Sequence, residues 1–302
     1  MLNRIDRVLI AVANADAVAH RWVELLDARI DRSDEVPALA ASRVVVSVGD
    51  AEVEILQPTG PGPVAEHLTA GRGGPFAAGI ATDDLDSLRT RFDACGVVPL
   101  DLGEQLFLDA ATLGIPGLDL VVSRCEARDP VGLMSNLYEA THLTDDPDGM
   151  CSRFAEVFGL TQEHFVPISS DAYGYAGYLT LFDPTALHRI ETIHPQDAEK
   201  TMGRYFNRFG PSMYMCYGET DDLPGLRERL IELAPDDWTG SDDDPNGLFV
   251  HPRALGGVML GVSRSSYAWT WSGSPNRVLG PPDRVSGSPD QVSGPPGRVQ
   301  PI

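Results

Sequence analysis

The sequence predicts an α+β protein of two tandem domains, each built from two β-α-β-β-β units. The first observation behind this is a repeated octapeptide. TDDLDSLR (Thr82 to Arg89) returns 138 residues later as TDDLPGLR (Thr220 to Arg227). Three further pairs follow in the same order: HRWVELLDA with SRFAEVFGL, VEILQP with IETIHP, and GLDLVVSR with GVMLGVSR, at offsets of 132, 137 and 140 residues. Four ordered matches at nearly one spacing mark an internal duplication. The second observation is a rhythm of apolar periods, two-residue then helical then two-residue, that recurs along the chain.

The elements follow from that rhythm. Arg7 to Val12 alternates and is β-rich, so it reads as a strand. Asp16 to Leu26 places Val18, Trp22, Leu25 and Leu26 at helical spacing. Arg43 to Val48 and Ala51 to Leu56 flank a Gly49-Asp50 turn and read as a hairpin. The pattern then restarts. Gly79 to Thr82 ends a strand, and Asp83 or Asp84 caps a helix reaching Ala94 with Leu85, Leu88 and Phe92 facing inward. Short strands follow at Gln105 to Asp109 and Leu118 to Val122. The repeat carries the same reading into the second half. Domain 1 is placed at about 1–126 and domain 2 at about 127–265, with the polar segment EARDPVG as the joint. Residues 266–302 read as a tail. From Ser272 it consists of four seven-residue copies, SGSPNRV, LGPPDRV, SGSPDQV and SGPPGRV. Proline and glycine in each copy forbid a continuous helix, and one valine per copy cannot build a core, so a disordered, solvated appendage is expected.

Composition bounds the function. The 302 residues carry a net charge of −21, which opposes binding to a nucleic-acid backbone or an anionic membrane. The four cysteines (Cys95, Cys125, Cys151, Cys216) form no CxxC pair, so reduced thiols in a cytoplasmic protein are expected. The N-terminal apolar run is too short for a signal peptide or a membrane span. The phosphate-cradling, zinc-protease and serine-hydrolase motifs GxxxxGK[ST], HExxH and GxSxG are absent.

Four β-α-β-β-β units, with VEILQP and IETIHP as fourth strands and FVHPRALGGVMLGVS (Phe249 to Ser263) as the closing strands, resemble the vicinal oxygen chelate superfamily. That superfamily includes glyoxalase I, bleomycin-resistance proteins, methylmalonyl-CoA epimerase and the extradiol dioxygenases. The resemblance covers residues 3–264 and implies that each pair of units curls into a cup-like sheet with its helices outside. It also implies a divalent metal ion held in a cup by side chains of the first, fourth, fifth and eighth strands, commonly His or Gln, Glu, His and Glu. In domain 1 those positions carry Arg7, Glu54, Ala77 and Val121. In domain 2 they carry Glu139, Glu191, Met215 (or Tyr214) and Gly261. The standard metal site is therefore expected to be degraded, with Glu139 and Glu191 as the remaining ligands if a metal binds.

Three functions stay open on this reading. Glu139 and Glu191 would converge in the second cup, where two close carboxyls raise one pKa and suit proton transfer beside a carbonyl or acyl group. This gives an isomerase, epimerase or lyase-type enzyme acting on a small molecule. The same carboxylates could instead be tied to Arg189 or Arg204. A non-catalytic binder like the bleomycin-resistance proteins is the second possibility, and a ring-cleaving dioxygenase the third. Tyr173, Tyr175, Tyr178, Tyr214 and Met215 are expected to line the ligand pocket. His142, His194 and His251 are expected outside it, since His142 and His194 lie three residues from the glutamates along a strand. In domain 1, Arg7 and Glu54 are expected to form an internal ion pair in a supporting domain. Pairing through strand edges makes a homodimer possible.

Overall fold

The computed structural model describes residues 2–241 and 245–280. The first half runs β1 (Leu2–Ala11), α1 (Ala15–Leu26), β2 (Arg29–Val36), β3 (Ala41–Val48), β4 (Ala51–Pro58), α2 (Pro63–Thr69), β5 (Gly74–Thr82), α3 (Leu85–Ala94), β6 (Leu100–Asp101), β7 (Gln105–Leu108), α4 (Ala110–Leu113) and β8 (Leu120–Arg124). The second half runs β9 (Asn136–Leu143), α5 (Pro147–Phe158), β10 (Val166–Ser170), β11 (Tyr175–Leu181), β12 (Arg189–Pro195), α6 (Thr201–Phe209), β13 (Ser212–Thr220), α7 (Leu223–Leu233), β14 (Trp238–Thr239), β15 (Gly247–Val250) and β16 (Met259–Arg264).

Each half forms one eight-stranded sheet, and the two share a single permutation. The orders are β2-β3-β4-β1-β5-β8-β7-β6 and β10-β11-β12-β9-β13-β16-β15-β14. In each, the unit's first strand pairs parallel with its fourth, and the two units meet through an antiparallel pair, β1 with β5 and β9 with β13. The architecture is thus α+β, with four β-α-β-β-β units and the short helices α2 and α6 joining the units of each half. Among the described residues no helix is long and apolar enough to cross a membrane.

The repeated TDDL has a local cause. Asp84 and Asp222 are the N-caps of α3 and α7, accepting from Ser87 N and Gly225 N at 2.9 Å. The preceding threonines accept from the cap backbone itself, Thr82 Oγ1 from Asp84 N and Thr220 Oγ1 from Asp222 N, both at 3.1 Å. The side chains thereby satisfy donors that a helix start leaves open. Asn14 and Asp146 cap α1 and α5 in the same way.

The convex faces of both sheets, with their helices, share one apolar core that includes Trp22, Phe92, Phe154 and Phe158. The halves dock with approximate twofold symmetry: α1 packs on α7 and α3 on α5. Phe92 of α3 meets Phe158 of α5 edge-on at 5.7 Å, burying about 2 kcal/mol of apolar side chain apiece. Glycines permit the close approach on each side of the axis. A Cβ on Gly117 would lie 2.1 Å from Pro211 O, and one on Gly74 would lie 2.5 Å from Gly257 O.

The concave faces hold separate interiors. That of the first sheet gathers Leu9, Leu56, Phe76, Phe107 and Val121. That of the second gathers Tyr138, Tyr175, Leu179, Met215, Tyr217 and Phe249. The second interior also takes in Ala268, Trp269 and Trp271. Residues 266–280 are therefore not an appendage: they form two 3-10 turns folded onto the second sheet, with the Arg277 guanidinium 4.2 Å over the Trp269 ring. The first heptapeptide copy, SGSPNRV, belongs to this packed segment, and its Val278 rests on the same interior. The expected start of the tail at 266 is corrected accordingly. The aromatic residues just ahead of the copies supply the apolar surface that the copies lack. The repeats after Gly280 lie outside the described residues.

Candidate active site

The strand register assembles the site. β9 and β12 run parallel with Glu139 opposite Arg189 and Thr141 opposite Glu191. Residues two apart on a strand share a face, so all four side chains project into the second cup. β13 adds Met215 opposite Thr141 and Tyr217 opposite Glu139, and β16 adds Met259 beside Met215 and Gly261 beside Tyr217. A bulge in β13 between Met213 and Met215 leaves Tyr214 as the extra residue.

Glu139 and Glu191 meet within this cup, close enough to share a hydrogen bond. Arg189, fully buried, places Nε 2.6 Å from Glu139 Oε2 and donates from Nη1 to Leu187 O at 3.0 Å. Its guanidinium carbon lies 4.8 Å over the Tyr138 ring. Thr141 Oγ1 donates to Glu191 Oε2 at 2.8 Å. Burial, and then the negative charge of Glu139, push the Glu191 carboxyl up to about 8, against the opposing pull of Thr141 and Arg189. Burial also raises the Glu139 carboxyl, and Arg189 opposes that rise. Burial thus favours the protonated form of both carboxyls, more strongly for Glu191, and the two titrate as a coupled pair in which Arg189 favours the charged form of Glu139.

Glu191 and Thr141 open into a cavity of about 410 Å³. Tyr173, Tyr175, Tyr214, Met215, Tyr217 and Phe249 wall it, and Lys200, the N-cap of α6, and Arg204 of α6 reach it from the exposed side. Glu139 lies behind Glu191 and does not itself line the cavity. Arg204 bonds to Glu199 O and Thr201 rather than to either glutamate. Tyr178 stands apart from the others and corrects the expected pocket lining. It lies three residues from Tyr175 on β11, so it faces the opposite side, where its hydroxyl donates to Asp148 Oδ1 at 2.8 Å. The histidines are also outside the cup. His142 is buried at the joint between halves with Nε2 2.9 Å from Pro116 O, His194 Nδ1 is 3.1 Å from Thr144 O, and His251 bonds to Thr239.

Position 261 is emptied of side chain and filled by a neighbour. A Cβ on Gly261 would lie 2.1 Å from Tyr217 Cε1 and 2.6 Å from its Cζ. The ring is fixed further by Tyr138, stacked at 6.2 Å, and Phe249, edge-on at 5.8 Å. Among the described residues no group of three His, Cys, Asp or Glu side chains converges as metal ligands would.

The first cup has a different filling. Arg7 Nη1 lies 2.6 Å from Glu54 Oε1 and 3.1 Å from Glu52 Oε2, and Nη2 lies 2.7 Å from Asp6 Oδ2. Arg43 Nη1 reaches Glu54 Oε2 at 2.8 Å, and Arg128 bridges Asp6 and Glu52. Arg7 and Glu54 are thus members of a buried network rather than an isolated pair. Burial alone would raise the Glu54 carboxyl, but Arg7 and Arg43 outweigh it and hold it below its ordinary value.

Arg189 entered the sequence reading only as a possible partner, and Thr141 and Tyr217 not at all. A step of two residues from Glu191, Glu139 or Met215 reaches each of them, so the signal was the strand period itself.

No known family profile and no curated protein matches the sequence. Among solved structures, a triple mutant of 4-hydroxymandelate synthase from Streptomyces coelicolor is similar over 87% of this chain and 93% of its own, with a TM-score of 0.65 and 13% identity. A methylmalonyl-CoA epimerase variant from Streptomyces coelicolor aligns over 41% of this chain and 100% of its own, with a TM-score of 0.37 and 18% identity. The epimerase from Mycobacterium tuberculosis aligns over 45% and 91%, again with a TM-score of 0.37 and 18% identity. At such identities the likeness is one of fold. This chain shares the two-domain α+β fold of 4-hydroxymandelate synthase.

Proposed function

We propose that the second cup is the active site of an enzyme that moves a proton at a carbon beside the carbonyl or acyl group of a small organic substrate, in an isomerase, epimerase or lyase-type reaction. Glu191 is the group that exchanges the proton. The observation that carries this reading is a buried carboxyl, facing a cavity walled by aromatic and methionine side chains, whose proton affinity is raised to about 8 by burial and then by the neighbouring Glu139 carboxylate. A catalytic base near the working pH combines a useful ionised fraction with useful basicity. Glu139 adds to that basicity by its charge, and Arg189 opposes the effect of burial on Glu139. Thr141 orients the Glu191 carboxyl.

The divalent ion common in this fold does not match the donors present. Glu139 is already neutralised by a guanidinium at 2.6 Å, and the remaining positions carry the thioether of Met215 and the bare backbone of Gly261. A hard cation takes oxygen and imidazole ligands, and here it would sit beside a buried arginine. The proton-transfer reading uses the chain's own groups.

The test is exchange of α-protons into deuterated water, followed by NMR, over a panel of small ketones, 2-oxo acids and thioesters. Wild-type protein is expected to accelerate exchange for one class, and Glu191→Gln to abolish that acceleration with its melting behaviour intact. Binding of a panel member without exchange in the wild type would instead favour a sequestering protein.

A further inference from the structure

Tyr217 is held where a charged or ligating side chain could otherwise stand. It lies opposite Glu139 on β9, its ring covers Gly261 on β16, and Tyr138 and Phe249 clamp it from two further sides. It walls the same cavity as Glu191. A buried tyrosine hydroxyl normally finds a hydrogen-bond partner. Among the described residues, that of Tyr217 has no protein partner and is not among the sealed polar atoms, so it is open to whatever occupies the cavity.

We propose that Tyr217 is a second catalytic residue, whose hydroxyl donates a hydrogen bond to the substrate oxygen on which negative charge develops. This rests on the proton-transfer reading and deepens it. The α C–H bond breaks and its proton passes to a carboxylate oxygen of Glu191. The C–H electron pair forms the new C=C bond, and the carbonyl π pair moves onto oxygen. Tyr217 stabilises that oxyanion without surrendering its own proton, because burial and the neighbouring carboxylates hold the phenol well above its ordinary range. Return of the proton from Glu191 to the same or a neighbouring carbon completes the exchange with no net oxidation. A donor fixed before the reaction needs no reorganisation as charge appears. The lost side chain at 261 is what gives the ring its seat.

The probe is 4-nitrophenol, whose visible-absorbing anion presents an aromatic oxyanion of suitable size. 4-Nitroanisole is the control, the same ring without the oxyanion. Both are titrated into the full chain at a pH where the phenol is ionised. The wild type is expected to bind the phenolate in preference to the anisole. Tyr217→Phe is expected to weaken phenolate binding about tenfold or more, the range for a hydrogen bond to a charged group, and to leave anisole binding within about twofold. Gly261→Ala keeps the hydroxyl but drives the ring off its seat, and is expected to lose the phenolate preference as well. Equal phenolate affinity in Tyr217→Phe, or no preference for the anion in the wild type, overturns the proposal. Glu191→Gln separates the two ideas. If it abolishes α-proton exchange while Tyr217→Phe binds phenolate normally, the oxyanion role falls and the proton-transfer reading stands. If it leaves exchange intact, the proton-transfer reading falls.

Discussion

Arg189 Nε lies 2.6 Å from Glu139 Oε2, and the strand register that sets these two residues opposite one another sets Arg7 opposite Glu52 in the first sheet, with the charges exchanged. The duplicated fold thus keeps one buried ion-pair position and reverses its polarity. In the first cup the arginine stands on the first strand and attracts three carboxylates, Asp6, Glu52 and Glu54, all buried. In the second it stands on the fourth strand and satisfies one, leaving Glu191 to keep a proton. That difference in charge balance separates a cup whose buried carboxylates are all paired with arginines from one that leaves the Glu191 carboxyl without a cationic partner among the described residues.

Removing one member of the Glu139–Arg189 pair leaves an uncompensated buried charge. Arg189→Met is expected to destabilise the fold by about 3–5 kcal/mol. Glu139→Gln with Arg189→Met is expected to cost clearly less than the sum of the single changes, because neither charge is then stranded. Urea denaturation of the three variants checks this. Additive costs would mean that the pair is not coupled.

Glu191 also sets a pH dependence. Its folded-state pKa is raised to about 8 from an ordinary 4.5. Between those values the native state binds the proton and the unfolded chain does not. The stability it contributes is therefore complete below about 4.5 and is lost as pH rises through about 8. The loss across the window approaches about 1.4 kcal/mol per pH unit for one group. Denaturation from pH 5 to 9 is expected to show the wild-type stability falling relative to Glu191→Gln, and the difference levelling above that range. Exchange activity is expected to move the other way, rising with pH toward a plateau above about 8 as Glu191 ionises.

The TDDL repeats give a prediction independent of the site. Asp84→Ala and Asp222→Ala each remove an N-cap, and each is expected to cost about 1 kcal/mol. The two helices pack against different partners, α3 on α5 and α7 on α1. The double variant should therefore be close to additive by thermal or urea denaturation.

Much of this was readable from residues alone, and the exceptions have physical causes. Duplication, capping and two-residue periods locate the four units because each is a local property. β2 (RIDRSDEV) escaped notice because it is a charged, exposed edge strand with no buried face to impose alternation, a composition that also discourages edge pairing. Tyr178 departs from the expected pocket lining because the segment is a strand, which sends residues 175 and 178 to opposite faces. Tyr217 needs the bulge at Tyr214 and the vacancy at Gly261 to be seen together, and both are properties of paired strands rather than of one segment. The convergence of Glu139 and Glu191 was legible only through the resemblance in fold, since they lie on different strands.

The packed segment after β16 gives the last prediction. Trp269 and Trp271 are buried in the second interior, opposite in character to the proline- and glycine-rich copies that follow. Trp269 also carries the Arg277 guanidinium on its face at 4.2 Å, and Arg277 reaches Pro184 O at 3.3 Å, so the segment is tied to the loop after β11. Replacing a buried tryptophan by alanine removes its transfer energy and leaves a void, and Trp269→Ala is expected to cost about 3 kcal/mol or more. Arg277→Ala removes only the cation–π contact and one exposed hydrogen bond, and should cost about 1 kcal/mol or less. The cavity holding Glu191 is not lined by either residue. Conditions that keep the Trp269 variant folded should therefore preserve phenolate binding while its urea midpoint falls. Loss of phenolate binding in the folded variant would show instead that the segment shapes the pocket.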